Sequence, residues 1–592
     1  MQNKVWRVLR NAGATTLKLT NTMVSIVGVS TVSALGISLA ASAQTDNREK
    51  QSSREDDRPN IVLLIADDMG YADVEAYGGD VVTPNISELA EEGLQFTNYH
   101  VGPSCSPTRS MLLTGLDNHL AGLGQMLENL TPNQVGLPGY EGVINDRSLT
   151  IPQLLQDNGY HTYMVGKWHL GGAEIDEETG KEIGKHPSGQ GFERSFALLE
   201  GGGDHYSNRG FSPTRPINHF SQDGVRMEDV PADFKYSTDF YRETMTDFIE
   251  SNRKDGKPFY AYMAFTAPHT PLQVPDKALI DKYAEFYSQG WDVIREQRFE
   301  RMKEMGIIPA DTEYRERFDE TPPWDELSPQ RKLREARRMG VYAAMIEYLD
   351  GSIGEFMDYL KETGEYDNTI FVFMSDNGAD GHDRSRQDVY KEWYQKIGVD
   401  NSLENMGLPN SFVSRGVEWG QVSGTPFRAQ KATTAEGGTR ANLILYYPGM
   451  IEGGEMTDVF ATVKDLAPTL LDYADVEHPG SSYKGREIHP LSGRSMRPFI
   501  EGDSEYVYGP DEPVAIELGG TINDSLFMGD WKLLRIGDEE WGDGEWELFN
   551  VAEDPGELNN LAAQEPQRLL QMRAAYEQFL IDVGWVPAAK KK

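Results

Sequence analysis

The chain has 592 residues, enough for two or three domains, and the apolar (39%) and charged (25%) fractions are those of a folded globular protein. Its net charge is −38. A surface this acidic repels nucleic acid and anionic membranes, so it argues against both as partners. An anionic substrate would therefore need a local cluster of basic side chains to hold it.

The N-terminus has the pattern of a cleavable export signal. A positively charged start without acidic residues leads into an apolar stretch of small residues at 23–40, and Ala41-Ser42-Ala43 fits the small-x-small cleavage pattern. A membrane anchor is the alternative, but the stretch is short and rich in glycine and serine. We predict a signal peptide at 1–43 and a polar tail at 44–58. The mature protein would be periplasmic or secreted from a bacterium, without stable membrane association.

Apolar runs and helix signals alternate along the next 320 residues or so. Continuous apolar runs predict strands that are buried on both faces of a sheet, at 61–66, 160–165, 259–265 and 370–374. Helices are predicted between the runs, beginning near Thr83-Pro84, Pro107 and Pro152. Strands that alternate with helices in this way predict an α/β fold with helices on both faces of the sheet.

Residues 276–340 are highly charged and lack strand signals, which predicts solvated helices and loops inserted in the large domain. An amphipathic helix at 341–363 then leads into the strand at 370–374. The predicted large domain spans 59–505.

After about residue 505 the long apolar runs give way to short strand-like segments. Short segments such as Trp531–Leu534 and Trp546–Phe549 predict antiparallel strands, and a final helix is predicted from Pro566 to Val583. We therefore predict a small C-terminal α+β domain at 506–592.

Two of the predicted strands end in pairs of oxygen-bearing side chains, Asp67-Asp68 and Asp376-Asn377. Adjacent carboxylates repel one another unless a cation lies between them, and ligands of α/β sheets collect at the carboxyl ends of strands. Either pair alone could be an ordinary turn. Together they predict an oxygen-only site suited to calcium or magnesium.

Cys105 is the only cysteine, so neither an internal disulfide nor a cysteine-based zinc site can form. It opens a predicted helix, where free N–H groups favour negative charge, and Arg109 shares its helix face. These observations leave two interpretations open. Cys105 is either a small buried apolar residue or a thiolate nucleophile whose pKa is lowered by the helix start.

Three further segments carry basic side chains in positions typical of a site. Lys167 and His169 follow a predicted strand and, being two apart, would face the same side in extended chain. His269 follows another strand, and Lys431 lies in a glycine-containing loop that ends at Arg440. Any one of these, taken alone, is more often a surface lysine or a structural histidine.

Taken together, these segments resemble the type I sulfatases. Cys105-Ser106-Pro107-Thr108-Arg109, followed by Thr114-Gly115, is similar to the first signature of that family, and Gly166–Gly171 is similar to the second. Four more segments match in the family's order: Asn60–Gly70, Ala267–His269, Asp376–Gly378 and Lys431–Arg440. The resemblance covers about residues 58–585 and is closest to bacterial arylsulfatases.

The resemblance implies an alkaline-phosphatase-like mixed sheet flanked by helices, with a smaller C-terminal antiparallel sheet plus helix. It also implies that a formylglycine-generating maturation enzyme oxidises Cys105 to formylglycine. The hydrated aldehyde would attack the sulfur of a small sulfate ester to give a covalent sulfo-enzyme intermediate, and its second hydroxyl would then expel sulfate.

The family's site residues carry over to matching positions. One calcium ion would be bound by Asp67, Asp68, Asp376, Asn377 and Cys105 as formylglycine. The catalytic residues would be Cys105, Arg109, Lys167, His169, His269, Lys431 and Asp376. The resemblance assigns them three tasks: holding the diol (Arg109, Lys167), moving its protons (Asp376, His169), and binding sulfate while protonating the leaving oxygen (His269, Lys431).

Three alternatives remain: a phosphonate or phosphate ester hydrolase of the same superfamily, a sulfatase of sulfated carbohydrates, and a binding protein on an inactive scaffold. An inactive scaffold would be expected to lack at least one catalytic or metal-binding residue, and all of the candidate residues are present. Asp73 and His119 lie near the signatures, and we expect both to be structural.

Overall fold

The computed structural model describes residues 56–589, except 176–181, 316, 318–320, 452 and 539. The predicted signal peptide and most of the predicted polar tail lie outside the described residues. Among the residues that are described, no helix is both long and apolar enough to cross a membrane.

An eleven-stranded mixed sheet forms the centre of the described chain. In chain order the first thirteen strands are β1 Asn60–Ala66, β2 Leu94–His100, β3 His161–Lys167, β4 Arg194–Leu198, β5 Arg209–Ser212, β6 Arg215–Ile217, β7 Phe220–Gln222, β8 Val225–Arg226, β9 Phe259–Ala264, β10 Thr369–Ser375, β11 Arg440–Tyr446, β12 Glu455–Thr457 and β13 Ala461–Thr462. Strands β5 and β6 form a separate hairpin.

The order across the large sheet is β12-β2-β11-β10-β1-β9-β3-β4-β7-β8, and β13 pairs with β2. Strands β10, β1, β9, β3 and β4 run parallel, whereas β11 is antiparallel to both of its neighbours. Strand β1 is buried on both faces of the sheet, which explains why its sequence is apolar at every position from 61 to 66. Ile61, Leu63 and Ile65 enter one hydrophobic core, while Val62 and Leu64 enter the core on the opposite face.

Helices cover both faces of this sheet, and the last helix of the described chain packs on a smaller C-terminal sheet. In chain order they are α1 Pro84–Glu92, α2 Cys105–Thr114, α3 Asn118–Ala121, α4 Ile151–Asp157, α5 Ser237–Asn252, α6 Lys277–Phe286, α7 Trp291–Met305, α8 Pro329–Thr363, α9 Asp388–Ile397, α10 Val417–Ser423, α11 Glu436–Thr439, α12 Leu466–Tyr473, α13 Arg497–Ile500 and α14 Pro566–Asp582. The predicted mixed α/β class is confirmed.

The charged segment 276–340 is helical as predicted, but it is only partly solvated. Trp291 and Phe299 of α7 are buried in the core, and the fully buried Arg298 pairs with Asp73 and Asp80. The expectation of a solvated insertion was therefore wrong for this helix, because buried acidic partners allow charged residues to pack inside. The predicted helix at 341–363 begins earlier, at Pro329, where Ser328 caps it.

The C-terminal region contains the predicted antiparallel sheet. After a small hairpin of β14 Ser482–Tyr483 and β15 Arg486–Glu487, the sheet consists of β16 Val514–Glu517, β17 Asn523–Met528, β18 Trp531–Ile536 and β19 Glu547–Asn550. Helix α14 packs Met572 and Tyr576 against the apolar face of this sheet. The smaller sheet and its helix are confirmed, and the domain boundaries at 505 and 506 stay a prediction.

Asp73 and His119 make ion pairs inside the protein, which supports the structural role expected of both. Asp73 accepts hydrogen bonds from Arg298 at 2.7 Å and from the Tyr342 hydroxyl at 2.7 Å. His119 lies 2.9 Å from both Asp117 and Glu517, and Glu517 belongs to β16. His119 therefore joins the first signature region to the C-terminal sheet.

This histidine makes the stability of the protein depend on pH. Burial alone would lower its pKa, but the Asp117 and Glu517 carboxylates outweigh burial and raise the pKa of His119 to about 10. The raised pKa contributes stability that is complete below the unfolded value near 6.5 and is lost as the pH rises through about 10. We expect the free energy of unfolding to fall by on the order of a few kcal/mol between these pH values.

The measurement is urea unfolding at pH 7 and at pH 10.5 for the parent and for His119→Gln. The glutamine variant should be less stable at pH 7 and should lose less stability between the two pH values. An equal loss in both proteins would contradict the role of His119.

Candidate active site

The strand register brings the predicted site segments to one edge of the sheet. Ala66 of β1 pairs with Ser375 of β10, so Asp67 and Asp376 leave the sheet side by side. Gly166 of β3 pairs with Ala264 of β9, which places the segments of Lys167 and His269 at the same edge. Neighbouring parallel strands thus gather residues that lie up to 300 or so positions apart in the sequence.

Cys105 lies beside three buried carboxylates. Asp67, Asp68, Asp376 and Cys105 each offer a ligand atom, and these atoms all lie within 4.8 Å of one another. The Cys105 Sγ is 3.7 Å from Asp67 Oδ1 and 3.9 Å from Asp68 Oδ1. The cluster can bind a metal ion, because three buried carboxylates so close together repel one another unless positive charge lies beside them.

The donor chemistry around the cluster fits a hard cation. Asn377 donates to Asp68 Oδ1 at 2.8 Å, but its own Oδ1 is buried without a hydrogen-bond partner, and so is Asp68 Oδ2. Buried oxygens are normally satisfied, and two oxygens without partners beside three carboxylates are donors that suit a hard cation. The backbone of Asp68 also adopts a φ of 65°, a conformation that is uncommon outside glycine and typical of functional sites.

Three basic side chains surround the same carboxylates. Lys167 Nζ is 2.7 Å from Asp67, and Arg109 donates two hydrogen bonds to Asp376 Oδ2 at 2.9 and 2.8 Å. Lys431 Nζ contacts Asp68 and lies 3.3 Å from Cys105 Sγ. These are the local cations that the acidic surface requires for an anionic substrate.

The cations and the carboxylates set each other's pKa values. Burial opposes ionisation of Asp68, but Lys431 and the other nearby positive groups lower its pKa to about 2. Burial likewise opposes protonation of Lys431, and the carboxylates, Asp68 first, raise its pKa. Asp380, which the sequence reasoning missed, is buried nearby and adds to this effect on Lys431. Its spacing from Asp376 carried no signal of its own.

The environment of Cys105 overturns the thiolate interpretation. Burial, and next the Asp376 carboxylate, raise the pKa of the Cys105 thiol to about 12. The favourable helix start is therefore outweighed by desolvation and like charge, and a free thiol here would stay protonated at neutral pH. Cys105 starts helix α2 as expected, and its side chain faces the carboxylates and not an apolar core.

The two candidate histidines differ in position. His269 Nε2 is 3.6 Å from Asp68 Oδ2, its Nδ1 is hydrogen-bonded to the Thr270 carbonyl, and burial lowers its pKa to about 3. His269 is thus neutral at physiological pH and stands next to the cluster.

His169 does not follow the extended-chain argument. Strand β3 ends at Lys167, and His169 has a φ of 55°, so the alternation of sides does not apply to this pair. Its Nε2 lies 3.0 Å from Glu128 Oε1, a residue that sequence reasoning missed. Both line a cavity of about 20 Å³ together with Ser106, the neighbour of Cys105. The cavity has room for about one water molecule.

The comparison with known families decides the identity. The Sulfatase family model matches residues 59–476, which contain all of the candidate active-site residues described in this subsection. The chain belongs to the sulfatase family. A second model, described as the C-terminal region of N-sulphoglucosamine sulphohydrolase, matches residues 430–579 of this sulfatase.

Curated relatives agree with this assignment. An uncharacterized sulfatase of Schizosaccharomyces pombe is 40% identical over 90% of this chain and 95% of its own length. The arylsulfatase of Klebsiella aerogenes is 37% identical over 74% of this chain and 91% of its own length. The predicted family is confirmed, and the protein is an enzyme that hydrolyses sulfate esters.

Solved structures share the fold. The crystal structure of Ps i-CgsB in complex with k-i-k-neocarrahexaose covers 88% of this chain and 92% of its own, with 25% identity and a TM-score of 0.59. The phosphonate monoester hydrolase of Agrobacterium radiobacter, 16% identical, covers 89% of this chain and 96% of its own, with a TM-score of 0.50. The alkaline-phosphatase-like architecture is therefore confirmed.

Proposed function

We propose that this sulfatase cleaves sulfate monoesters with a hydrated formylglycine made from Cys105, and that one calcium ion assists. The observation that carries the proposal is the position of Cys105 Sγ, within 3.3 to 3.9 Å of Lys431, Asp67 and Asp68 in a buried, charge-paired cluster. In the structure Sγ stands for the oxygen-bearing end of the formylglycine side chain. The maturation enzyme would supply the oxidant that converts the CH₂–SH group to an aldehyde.

The reaction needs two hydroxyl groups on one carbon. Water adds to the aldehyde, and one hydroxyl attacks the sulfur while the ester oxygen leaves and takes up a proton. The second hydroxyl then loses its proton, the aldehyde re-forms, and the bond between the carbon and the sulfate oxygen breaks. This route explains why a buried thiol with a raised pKa is no obstacle, since the thiol is only the precursor.

The residues around Cys105 would position the diol and the sulfate group and would balance the negative charge that develops on them. Arg109 and Lys167 would fix the diol and its oxyanion, with Asp376 placed to accept the first proton and His169 the second. Lys431 and His269 would bind the sulfate group and favour protonation of the leaving oxygen, and the negative charge of the bound ester would raise the pKa of His269 so that its Nε2 can carry a proton.

Calcium would bind through Asp67, Asp68, Asp376, Asn377 and the modified Cys105. When bound, it would supply positive charge that polarises a sulfate oxygen and lowers the pKa of the attacking hydroxyl. The two unsatisfied oxygens of Asp68 and Asn377 support this assignment.

The charge balance favours singly charged esters. Three carboxylates face three basic groups in the cluster, and the nearby Asp380 is paired with His382, so a divalent ion leaves a net charge of about +2. A sulfate monoester and a diol oxyanion each carry one negative charge and would neutralise it. A phosphate monoester dianion would overcharge the site, whereas a phosphonate monoester carries the same charge as the sulfate ester.

The discriminating experiment therefore compares an aryl sulfate with an aryl phosphonate monoester on the purified, matured enzyme. We expect kcat/KM to favour the sulfate ester by at least about 100-fold, because the family model and the curated relatives that match this chain are those of sulfatases. Cys105→Ala, assayed in parallel, controls for contaminating hydrolases. A dominant phosphonate rate would overturn the choice of sulfate.

Sulfated carbohydrates are the second candidate class of substrate. The relatives include an N-acetylglucosamine-6-O-sulfatase of Bacteroides thetaiotaomicron, 25% identical over 90% of this chain and 88% of its own length. An aryl sulfate and a sulfated monosaccharide, assayed side by side, separate the two classes. We further propose that the chain is exported to the periplasm or the medium, and that the signal peptide at 1–43 is removed in the process.

A further inference from the structure

The loop that follows Lys431 is held from two sides. Ala432 N donates to the Pro103 carbonyl at 2.7 Å, close to Cys105, and the Ala432 carbonyl accepts from Asn523 Nδ2 at 2.7 Å. Ala432 has a φ of 71°, which an alanine adopts only when the surroundings impose it. The backbone next to Lys431 is therefore fixed by contacts with two distant segments.

Asn523, the first residue of β17, bonds to the Lys431 loop through both polar atoms of its side chain. Its Nδ2 donates to Ala432, and its Oδ1 accepts from Thr434 N at 2.8 Å and from the Thr434 hydroxyl at 3.1 Å. The side chain is buried, so these bonds are shielded from competing water. One amide thus spans the backbone on either side of Thr433.

The same sheet holds the loop at a second place. Lys532 Nζ of β18 is 2.8 Å from Glu436, and Glu436 N donates to Glu557 at 3.2 Å. At the other end, Lys431 N donates to the Ala379 carbonyl at 3.0 Å, just beyond Asp376. Lys431 therefore lies between an anchor on the carboxylate loop and an anchor on the C-terminal sheet.

We propose that Asn523 is a positioning residue that fixes Lys431 for binding of the sulfate group. This inference rests on the function proposed above for Lys431. If it is correct, the C-terminal sheet contributes to sulfate binding, because it holds the backbone from which Lys431 extends. Lys431 has a long, flexible side chain, so its placement depends on the backbone from which it extends.

The test is a double-mutant cycle on the matured, calcium-loaded enzyme. Asn523→Ala and Lys431→Ala are made singly and together, and kcat, KM and the Kd of inorganic sulfate are measured for each. Asn523→Asp has the same volume as asparagine and keeps the acceptor but lacks the donor to Ala432, so it serves if the alanine variant folds poorly. Ser525→Ala is the matched control, because Ser525 lies on the same strand, is buried, and donates only to Ile516 within the sheet.

We expect Lys431→Ala to lower kcat/KM by on the order of 1,000-fold. Asn523→Ala should lower it by on the order of 10- to 100-fold and weaken sulfate binding, since small misplacements of an active-site group are costly. In the Lys431→Ala background the Asn523 substitution should have almost no further effect. The Ser525 control should alter kcat/KM and the sulfate Kd by less than about twofold.

Additive effects of the two substitutions would overturn the proposal, because Asn523 would then act on stability and not through Lys431. An unchanged sulfate Kd in both Asn523 variants would overturn it as well. Full activity of Lys431→Ala would overturn the proposed function of Lys431 itself. This outcome does not depend on any Asn523 variant, so it can be told apart from a failure of the Asn523 proposal.

Discussion

Cys105→Ala is expected to lower kcat/KM for a sulfate ester by at least about 10,000-fold, because the nucleophile itself is removed. The fold should survive, since the side chain is small. In the parent protein, mass spectrometry of the peptide that contains Cys105 should show an aldehyde in place of the CH₂–SH group. The activity of different preparations should rise in proportion to the fraction of modified peptide.

Ser110→Ala is the matched control for this experiment. Ser110 is buried on the same helix as Cys105 and donates its hydroxyl to the Pro107 carbonyl, and its substitution keeps the cysteine, proline and arginine of the first signature. We expect modification and activity to remain near the parent values. A fully active preparation that contains only the unmodified thiol would rule out the formylglycine mechanism, and the raised pKa of the thiol would then itself need an explanation.

Removal of calcium is expected to have an effect of similar size. Chelation should reduce turnover by at least about 1,000-fold, because the charge that offsets the sulfate and the diol is lost. Calcium should restore activity, and at 1,000 times its Kd it should stabilise the fold by about 4 kcal/mol. Thermal unfolding with and without the ion measures this second effect independently of catalysis.

Asn377→Ala gives the matched site variant, since it removes one neutral oxygen from the cluster without changing the charge. We expect the calcium Kd, measured by titration calorimetry, to rise by at least about 100-fold, because even the loss of outer partners of a metal site costs 10- to 100-fold. Asn550→Ala is the control, because Asn550 also has an Oδ1 without a hydrogen-bond partner but lies on β19. The metal site would be contradicted if neither chelator nor added calcium changed the activity or the melting temperature.

The sequence predicted the chemistry of the site better than its geometry. The apolar run at 61–66 and its counterparts predicted strands that are present, and the polar pairs after them meet at one edge of the sheet, as expected. These predictions succeeded because periodicity and strand-end position are local properties, whereas the metal ion itself stays a prediction. The order of the strands, β10-β1-β9-β3, is a non-local property and had to come from the structure.

Predictions failed where the outcome depended on surroundings. The helix start favoured a lowered pKa for Cys105, but burial and Asp376 raise it. The charged composition of 276–340 predicted solvated residues, yet Arg298 is buried because it pairs with Asp73 and Asp80. In each case the decisive partner is distant in the chain, so no local pattern contains it.

By itself the sequence determined which groups are available: one cysteine in a segment similar to the first sulfatase signature, two carboxylate-bearing strand ends, and a set of lysines, histidines and an arginine in the sulfatase order. Only the tertiary structure decided how they act on one another. It placed Lys431 on Asp68 and Cys105, turned His169 toward Glu128, and joined the Lys431 loop to Asn523. The physical reason is that residue types are fixed by the chain, whereas burial, charge pairing and backbone clamps arise only when distant segments pack together.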